Sequence, residues 1–206
     1  MTSTMQRPGG RTARVRRAVM VATEDVIIER GPAGIELADI ARRAGVGRAT
    51  VYRRWRTASG LIADLLADMA ERSEPRARTG RLETDLLAHA RLVQRTLNSR
   101  RQGPIFRAVI AAGATDPECG RALRAFYRAR LRTWAPCVVE AVGRGEAPPG
   151  TDPVAVIAAV SAPLYYRLLL SGQPLDRGAV EQAVGTVLAG VGAGAFVTGR
   201  RVTLGG

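Results

Sequence analysis

Residues 37–55 read LADIARRAGVGRATVYRRW, two short helical segments joined by a tight turn. Leu37, Ile40, Ala41 and Ala44 recur at helical spacing and lay one apolar stripe against a core. Gly45 follows the last of them, at a place where a helix end favours a left-handed backbone that glycine adopts without steric cost, and Val46 anchors the turn. In the second segment Val51 and Trp55, four apart, form the inward stripe. Arg48, Thr50, Tyr52 and Arg53 are left facing outward. Hydrogen-bond donors and acceptors, a flat ring and two guanidiniums suit a major groove, where Arg pairs with guanine edges and Thr or Tyr meets phosphates and thymine methyls. Two short helices with a glycine turn also occur in helical proteins that bind no DNA, so spacing alone leaves that alternative open.

Composition points towards a polyanion. The chain carries 31 arginines, no lysine and a formal net charge of +13. Through residue 60 there are 12 basic and 5 acidic residues, a net +7 gathered around the two-helix stretch. A GC-rich coding sequence accounts for Arg over Lys but not for the basic excess, which favours nucleic acid over an anionic membrane as partner. Cys119 and Cys137 have no metal-ligand spacing and, with no signal peptide, read as reduced thiols. No metal or cofactor is expected. Arg167 divides the strongest apolar run, so no membrane span is expected, and the reading is a cytoplasmic protein.

The first ten residues, MTSTMQRPGG, lack periodicity and are expected to form a disordered tail. Arg7, Arg11, Arg14, Arg16 and Arg17 crowd the start of the first helix, where the helix dipole disfavours cations and a phosphate backbone would favour them. That helix continues to about Arg30 with Ala18, Val21, Ala22, Val26 and Ile27 inward, and Gly31-Pro32 stops it. Thr57 caps a further helix through Leu61, Leu65, Leu66 and Met69, and residues 75–80 form a hinge-like connection.

Beyond it a helix over about 81–100 sets Leu82, Leu86, Ala90, Val93 and Leu97 on one face, with His89, the only histidine, close beside it. A Thr115-Asp116-Pro117-Glu118 start with Thr as cap opens a long helix that Pro136 kinks. Its row of Arg121, Arg124 and Arg128 reads as a solvated face. Phe106, Phe126, Tyr127 and Trp134 concentrate the scarce aromatics in this middle third. With His89 they suggest a largely apolar ligand cavity, a filled aromatic core being the alternative. Asp152-Pro153 starts a helix that is apolar on almost every side, and a further helix follows over about 175–191. Their stripes, Ile157, Leu164 and Leu168 on one and Val180, Val184 and Leu188 on the other, suggest an isologous dimer through a four-helix interface.

The run LADIARRAGVGRATVYRRW, led by TARVRRAVMVATEDVIIERG and followed by TASGLIADLLADM, resembles the amino-terminal DNA-binding domain of the TetR family of bacterial transcriptional regulators. Ile40, Ala41, Ala44, Gly45, Val46, Thr50, Tyr52 and Trp55 carry the likeness. The run DPVAVIAAVSAPLYYRLLLSGQPLD is similar to the ligand-binding and dimerisation domain of one branch of that family. Two positions depart from the pattern: Glu36 stands where Thr or Ser usually caps the second helix and touches phosphate, and Ala58 where a Lys is common.

The resemblance implies an all-α fold, an amino-terminal three-helix helix-turn-helix domain joined to a larger helical ligand-binding and dimerisation domain. The expected division is 1–10 tail, 11–57 DNA-binding domain, 58–192 effector and dimer domain, and 193–206 flexible tail. It implies a homodimeric repressor on a palindromic double-stranded DNA operator, released by a small apolar or aromatic ligand. Arg48, Thr50, Tyr52 and Arg53 are the expected base-side contacts, with Arg11, Arg54 and Arg56 on phosphates. Alternatives are a ligand-binding or interaction protein without operator binding and a regulator without a small-molecule effector. No phosphate loop, metal cluster or catalytic triad context supports an enzyme.

Overall fold

A computed structural model describes residues 8–71 and 78–199, apart from the side chains of Pro8 and Arg11. Among the described residues ten α-helices follow one another: α1 (Pro8–Arg30), α2 (Leu37–Arg43), α3 (Arg48–Arg54), α4 (Ala58–Glu71), α5 (Leu82–Asn98), α6 (Gln102–Thr115), α7 (Pro117–Trp134), α8 (Pro136–Gly143), α9 (Pro153–Tyr166) and α10 (Arg177–Gly192). Among the described residues the one strand-like pairing is an isolated bridge between Thr151 and Val197. The fold is all-α, with a helix-turn-helix region before a larger set of helices.

The helices group into two compact units. The first holds α1–α4, α6 and α7 as far as Phe126; the second holds α5, α7 from Tyr127 and α8–α10. In the first, α1 packs against α2 and α4, and α2 against α3. Val19, Met20, Val26 and Ile27 of α1 are buried, as are Ile40, Val51, Leu61 and Leu65. Full burial of each such side chain contributes about 1.5–3 kcal/mol, which fixes α2 and α3 on a firm base. Val21, expected inward, is instead exposed, because Met20 and Val19 take the inner side of that turn.

Several helix ends follow from local chemistry. Thr57 caps α4 by accepting from the Gly60 amide at 3.0 Å. Asp152 caps α9 by accepting from the amides of Val154 and Ala155. The cap of α7 differs from expectation: Asp116, not Thr115, accepts from Glu118 and Cys119, while Thr115 finishes α6. Asp116 directly precedes the first residue of α7, so its carboxylate reaches the free amides two and three residues on, while Thr115 stands one position too far back. Ala135 separates α7 from α8, and Pro136 at the start of α8 removes the amide that would have continued one helix into the other.

In the second unit α10 packs on α9 and α5, and α5 on α9 and α8. Gln94 and Asn98 of α5 both donate to the Leu175 carbonyl, at 2.9 and 2.8 Å, which ties α5 to the approach to α10. The last turn of α9 widens into a π-helix over Arg167–Ser171, and Gly172 ends it with φ 63°. The apolar stretch Pro153–Ser171, 19 residues, is long and apolar enough by composition to cross a bilayer. Here it belongs to a packed helical unit, with Val156, Ile157, Val160 and Leu164 buried. In place of the free tail expected from residue 193, residues 193–199 fold back: Asp152 donates to the Phe196 carbonyl at 2.8 Å and Thr198 to that of Gly150 at 3.0 Å. Residues 200–206 lie outside the described residues, as do 1–7, most of the expected amino-terminal tail; Pro8–Gly10 already belong to α1.

Candidate functional site

The turn between α2 and α3 is closed by its own backbone. Gly45 has φ 64° and donates to the Arg42 carbonyl, and Val46 donates to that of Ala41 at 2.9 Å. These two bonds satisfy carbonyls that a helix end otherwise leaves open, and they hold α3 at a fixed angle to α2. Val51 and Trp55 then turn inward, fully buried and 3% exposed respectively.

The opposite side of α3 faces water. Tyr52 is 50% exposed, and Arg48, Arg53, Arg54 and Arg56 are exposed while Thr50 is half-buried. Arg48, Arg53 and Arg56 make no hydrogen bond or ion pair among the described residues. The Arg54 guanidinium lies 5.0 Å from the centre of the Trp55 ring. Thr50, Arg53 and Arg54 share an open cleft of about 720 Å³ with Thr12 and Val15 of α1 and Val46 of the turn. Arg11 lies on α1, but its side chain is outside the described residues. Glu36 precedes α2 in extended conformation and its carboxylate caps nothing.

Four other arginines, on α1 and α2, are neutralised internally, whereas Arg14 and Arg17 of α1 are exposed and make no hydrogen bond or ion pair among the described residues. Asp39 binds Arg30, Arg42 and Arg43, and Arg43 also reaches Glu29 at 2.8 Å. The Arg30 hydrogen bond, with Arg42 and Arg43 beside it, holds the Asp39 carboxyl below the usual carboxylate range. Arg16, one of the cations crowding the start of α1, does not face outward. It binds Asp64 at 2.8 Å, Asp68 at 3.1 Å and Glu71 at 3.0 Å, all on α4. Asp64 also accepts from Trp55 Nε1 at 2.9 Å. Burial pushes the Asp64 carboxyl up, but hydrogen bonds from Arg16 and Trp55 outweigh it and leave its pKa lowered. One carboxylate therefore joins α1, the end of α3 and α4. Sequence reading missed this node because Arg16 and Asp64 are 48 positions apart; the acidic i, i+4, i+7 row of Asp64, Asp68 and Glu71 was the available signal.

The five expected ligand-pocket residues fall into two groups. Phe106 and Phe126 belong to the first unit, with ring centres 5.6 Å apart. His89, Tyr127 and Trp134 belong to the second. There the His89 and Trp134 rings lie with centres 4.9 Å apart and planes tilted by 54°, and Tyr127 meets Tyr165 edge-on at 5.3 Å. His89 Nε2 lies 2.8 Å from Ser161 Oγ, a partner that sequence reading did not single out. Burial and the charge of Arg130 lower the His89 pKa to about 3, so the ring is neutral.

The expected dimer stripe is corrected. Ile157, Leu164, Leu168, Val180 and Val184 are buried within the subunit itself, and Leu188 is half-buried. Helices α9 and α10 turn their most apolar sides towards each other and α5, because that is where a single chain removes the most apolar area from water. Their outward side instead carries Ala162, Pro163, Tyr166, Gln182, Gly185 and Ala189.

A glycine-turned helix pair held on α1 and α4, with an exposed and unneutralised cationic second helix, defines a helix-turn-helix DNA-binding regulator. The comparisons agree: residues 19–65 match the model of bacterial regulatory proteins of the tetR family, and residues 76–187 match the tetracyclin repressor-like C-terminal domain. The chain belongs to the TetR family of transcriptional regulators. It is 31% identical over 188 residues to the HTH-type transcriptional regulator AqdR of Rhodococcus erythropolis, covering 90% of this chain and 89% of that one. It is 30% identical over 173 residues to the DNA-binding transcriptional repressor TetR of Mycobacteroides abscessus, covering 83% and 90%. A crystal structure of the TetR family transcription regulator SCO0332 superposes with a TM-score of 0.70 at 26% identity, covering 86% of this chain and 98% of that one. The family and these relatives are regulators of transcription, not enzymes.

Proposed function

We propose that the chain is a cytoplasmic homodimeric repressor whose two recognition helices read the halves of a palindromic operator, and that a small apolar or aromatic ligand releases it. The observation that carries the DNA reading is the division among arginines. Arg16, Arg30, Arg42 and Arg43 are held by carboxylates, while Arg48, Arg53 and Arg56 project from or beside α3 without a protein partner among the described residues. On this reading Arg48, Thr50, Tyr52 and Arg53 meet base edges, and Arg54, Arg56 and Arg11 meet phosphates. Ala58 costs little here, because Arg54 and Arg56 bring positive charge to the same end of α3.

Dimerisation is assigned to the outward side of α9 and α10. A groove of about 430 Å³ runs there, lined among others by Pro163, Tyr166, Gln182, Thr186 and Phe196. Tyr166 is 58% and Leu170 76% exposed, more apolar surface than a lone subunit leaves in water without cost. A repressor named among the relatives supports repression rather than activation. The regulator's division of labour then follows the chain, with 11–57 reading DNA and 58–192 taking effector and partner. A ligand releases the operator only as far as it prefers the spacing of recognition helices that does not fit DNA.

Selection from a random double-stranded DNA pool, at near-physiological salt to suppress nonspecific attraction, tests the reading. A palindromic motif is the expected result. An asymmetric motif bound by a monomer, or no enriched motif from folded protein, overturns it.

A further inference from the structure

The outer face of α1 carries a stripe that the first unit leaves uncovered. Val21 and Ile28 are 43% and 42% exposed, Arg14 and Arg17 are exposed, and Asp25 is half-buried beside them. Positions 14, 17, 21, 25 and 28 succeed one another at intervals of three and four, so all five share one side of the helix. Arg17 and Val21 stand as a ridge between two grooves. One, of about 400 Å³, is lined by the small side chains of Ala18, Ala22 and Ala44, with Arg14 and Asp25 spaced along it. The other, of about 250 Å³, opens on the side of Ala13, Met20 and Asp68. Arg14 and Arg17 make no hydrogen bond or ion pair among the described residues.

Whatever covers this face must answer both signs of charge and the apolar side chains between them. A phosphate answers Arg14 and Arg17, but it leaves Val21 and Ile28 in water and brings like charge to Asp25. An acidic helix of another protein meets the same repulsion at Asp25. A second α1, laid antiparallel with a two-fold axis at Val21, meets neither objection. Each residue then stands opposite the one equally far beyond Val21: Arg17 opposite Asp25 of the second copy, twice by symmetry, and Arg14 opposite Ile28, which its apolar stem covers. A parallel arrangement would set Arg17 against Arg17. The row 17, 21, 25 is an i±4 ridge, the kind that packs into the groove of a facing helix, and the alanine-lined groove beside it receives the ridge of the second copy. Arg43 also lines that groove but adds little charge, because Glu29 and Asp39 hold it.

We propose that the outer face of α1 is a self-association surface on which a second copy of the chain docks its own α1 antiparallel, centred on Val21. It is separate from the dimer seam assigned to α9 and α10 and does not depend on it. One helix pair buries a small area, so the association is weak and shows only at high protein concentration. Sedimentation equilibrium of the full chain, at concentrations from about 5 to about 500 µM in near-physiological salt, reads it. Whatever the mass at the lowest concentration, it should rise towards twice that value. Val21→Asp, which sets two carboxylates together on the axis, should weaken the association at least about tenfold, and Arg17→Asp and Asp25→Arg should each do the same. The double variant Arg17→Asp with Asp25→Arg restores the pairing with its signs exchanged and should return it to within about threefold of wild type. A second measurement covers the case in which a charge variant fails to fold. Val21→Cys, treated with copper phenanthroline, should join two copies through residue 21, whereas Ala13→Cys should not, its two copies lying about 24 Å apart along the antiparallel pair. Cys119 and Cys137 are buried and leave that reaction to the introduced thiol. A mass independent of concentration, a folded double variant that stays dissociated, or cross-linking of Val21→Cys no faster than of Ala13→Cys overturns the proposal. So does an Arg17→Asp variant that loses affinity for DNA while self-association is unchanged, which would assign the cation to phosphate.

Discussion

The two tryptophans are equally buried, 3% exposed each, yet they sit in opposite kinds of surroundings. Trp55, at the end of α3, gives its Nε1 proton to Asp64, which also holds Arg16. Trp134, at the end of α7, gives its proton to nothing among the described residues and lies against a histidine with an unmet nitrogen of its own. The first indole is part of a closed network that fixes a surface reader in place. The second belongs to an open one. The folded chain ties the first buried indole to three helices and leaves the second without a hydrogen-bond partner among the described residues, so the two make different demands on the fold.

The closed network breaks hardest. Asp64→Ala strands the Trp55 donor and the Arg16 guanidinium together, and should cost about 2–4 kcal/mol in urea denaturation, less than a fully buried pair because both side chains keep some contact with water. Operator affinity should fall with it, since α3 loses its tie to α4. An Asp64→Ala protein of unchanged stability would show that Arg16, Asp68 and Glu71 hold the helices without it.

On the reader surface, Arg48→Ala should cost about 1–3 kcal/mol of operator binding and flatten base preference at one position in each half-site, read by repeating the selection with the variant. Its folding stability should not move, because Arg48 makes no hydrogen bond or ion pair among the described residues. This is the reverse of Asp64, which carries stability and contacts no base.

Acid distinguishes the two networks by pH window. His89 has its pKa lowered by burial and by Arg130 from 6.5 to about 3, so the unfolded chain takes up a proton that the folded chain refuses. Its contribution is fully present above about pH 6.5 and is lost as pH falls towards 3, with a slope approaching about 1.4 kcal/mol per pH unit. Asp64, whose pKa is lowered from 3.8, acts only further down: its contribution is present above that value and disappears as pH falls through the lower folded one. Stability of His89→Phe measured from pH 7 to 4 should therefore be flatter than wild type, while Asp64→Ala should keep the wild-type slope over that range.

What the sequence disclosed divides along the same line. The Leu37, Ile40, Ala41, Val51 and Trp55 spacing with Gly45 was enough to place α2, the turn and α3, because each rests on contacts within a few residues. Asp152-Pro153 and Thr57 marked helix starts for the same local reason. Periodicity also marked Val180 and Val184 as a buried stripe, but it does not say what buries a stripe, and here α5 and α9 of the same chain do so. Arg16 with Asp64 and His89 with Ser161 pair across 48 and 72 positions, distances over which no local pattern survives. The tail showed the same limit: its glycines suggested fraying, while the bond from Asp152 to the Phe196 carbonyl depends on a loop more than 40 residues earlier.

The smallest expected effect tests the comparison most sharply. Replacing a buried indole by a benzene ring normally opens a cavity and removes a hydrogen bond, and at position 55 both losses apply, so Trp55→Phe should cost about 2–3 kcal/mol. At position 134 there is no hydrogen bond among the described residues to lose, and the substitution removes a buried donor without a partner among them. The cavity cost and the relief of the unmet donor oppose each other, so Trp134→Phe should change stability by no more than about 1 kcal/mol in either direction. Measured side by side by urea denaturation, the two variants place a value on the one bond that distinguishes these residues. A Trp134→Phe protein as damaged as Trp55→Phe would mean that the second indole is as much a structural member as the first.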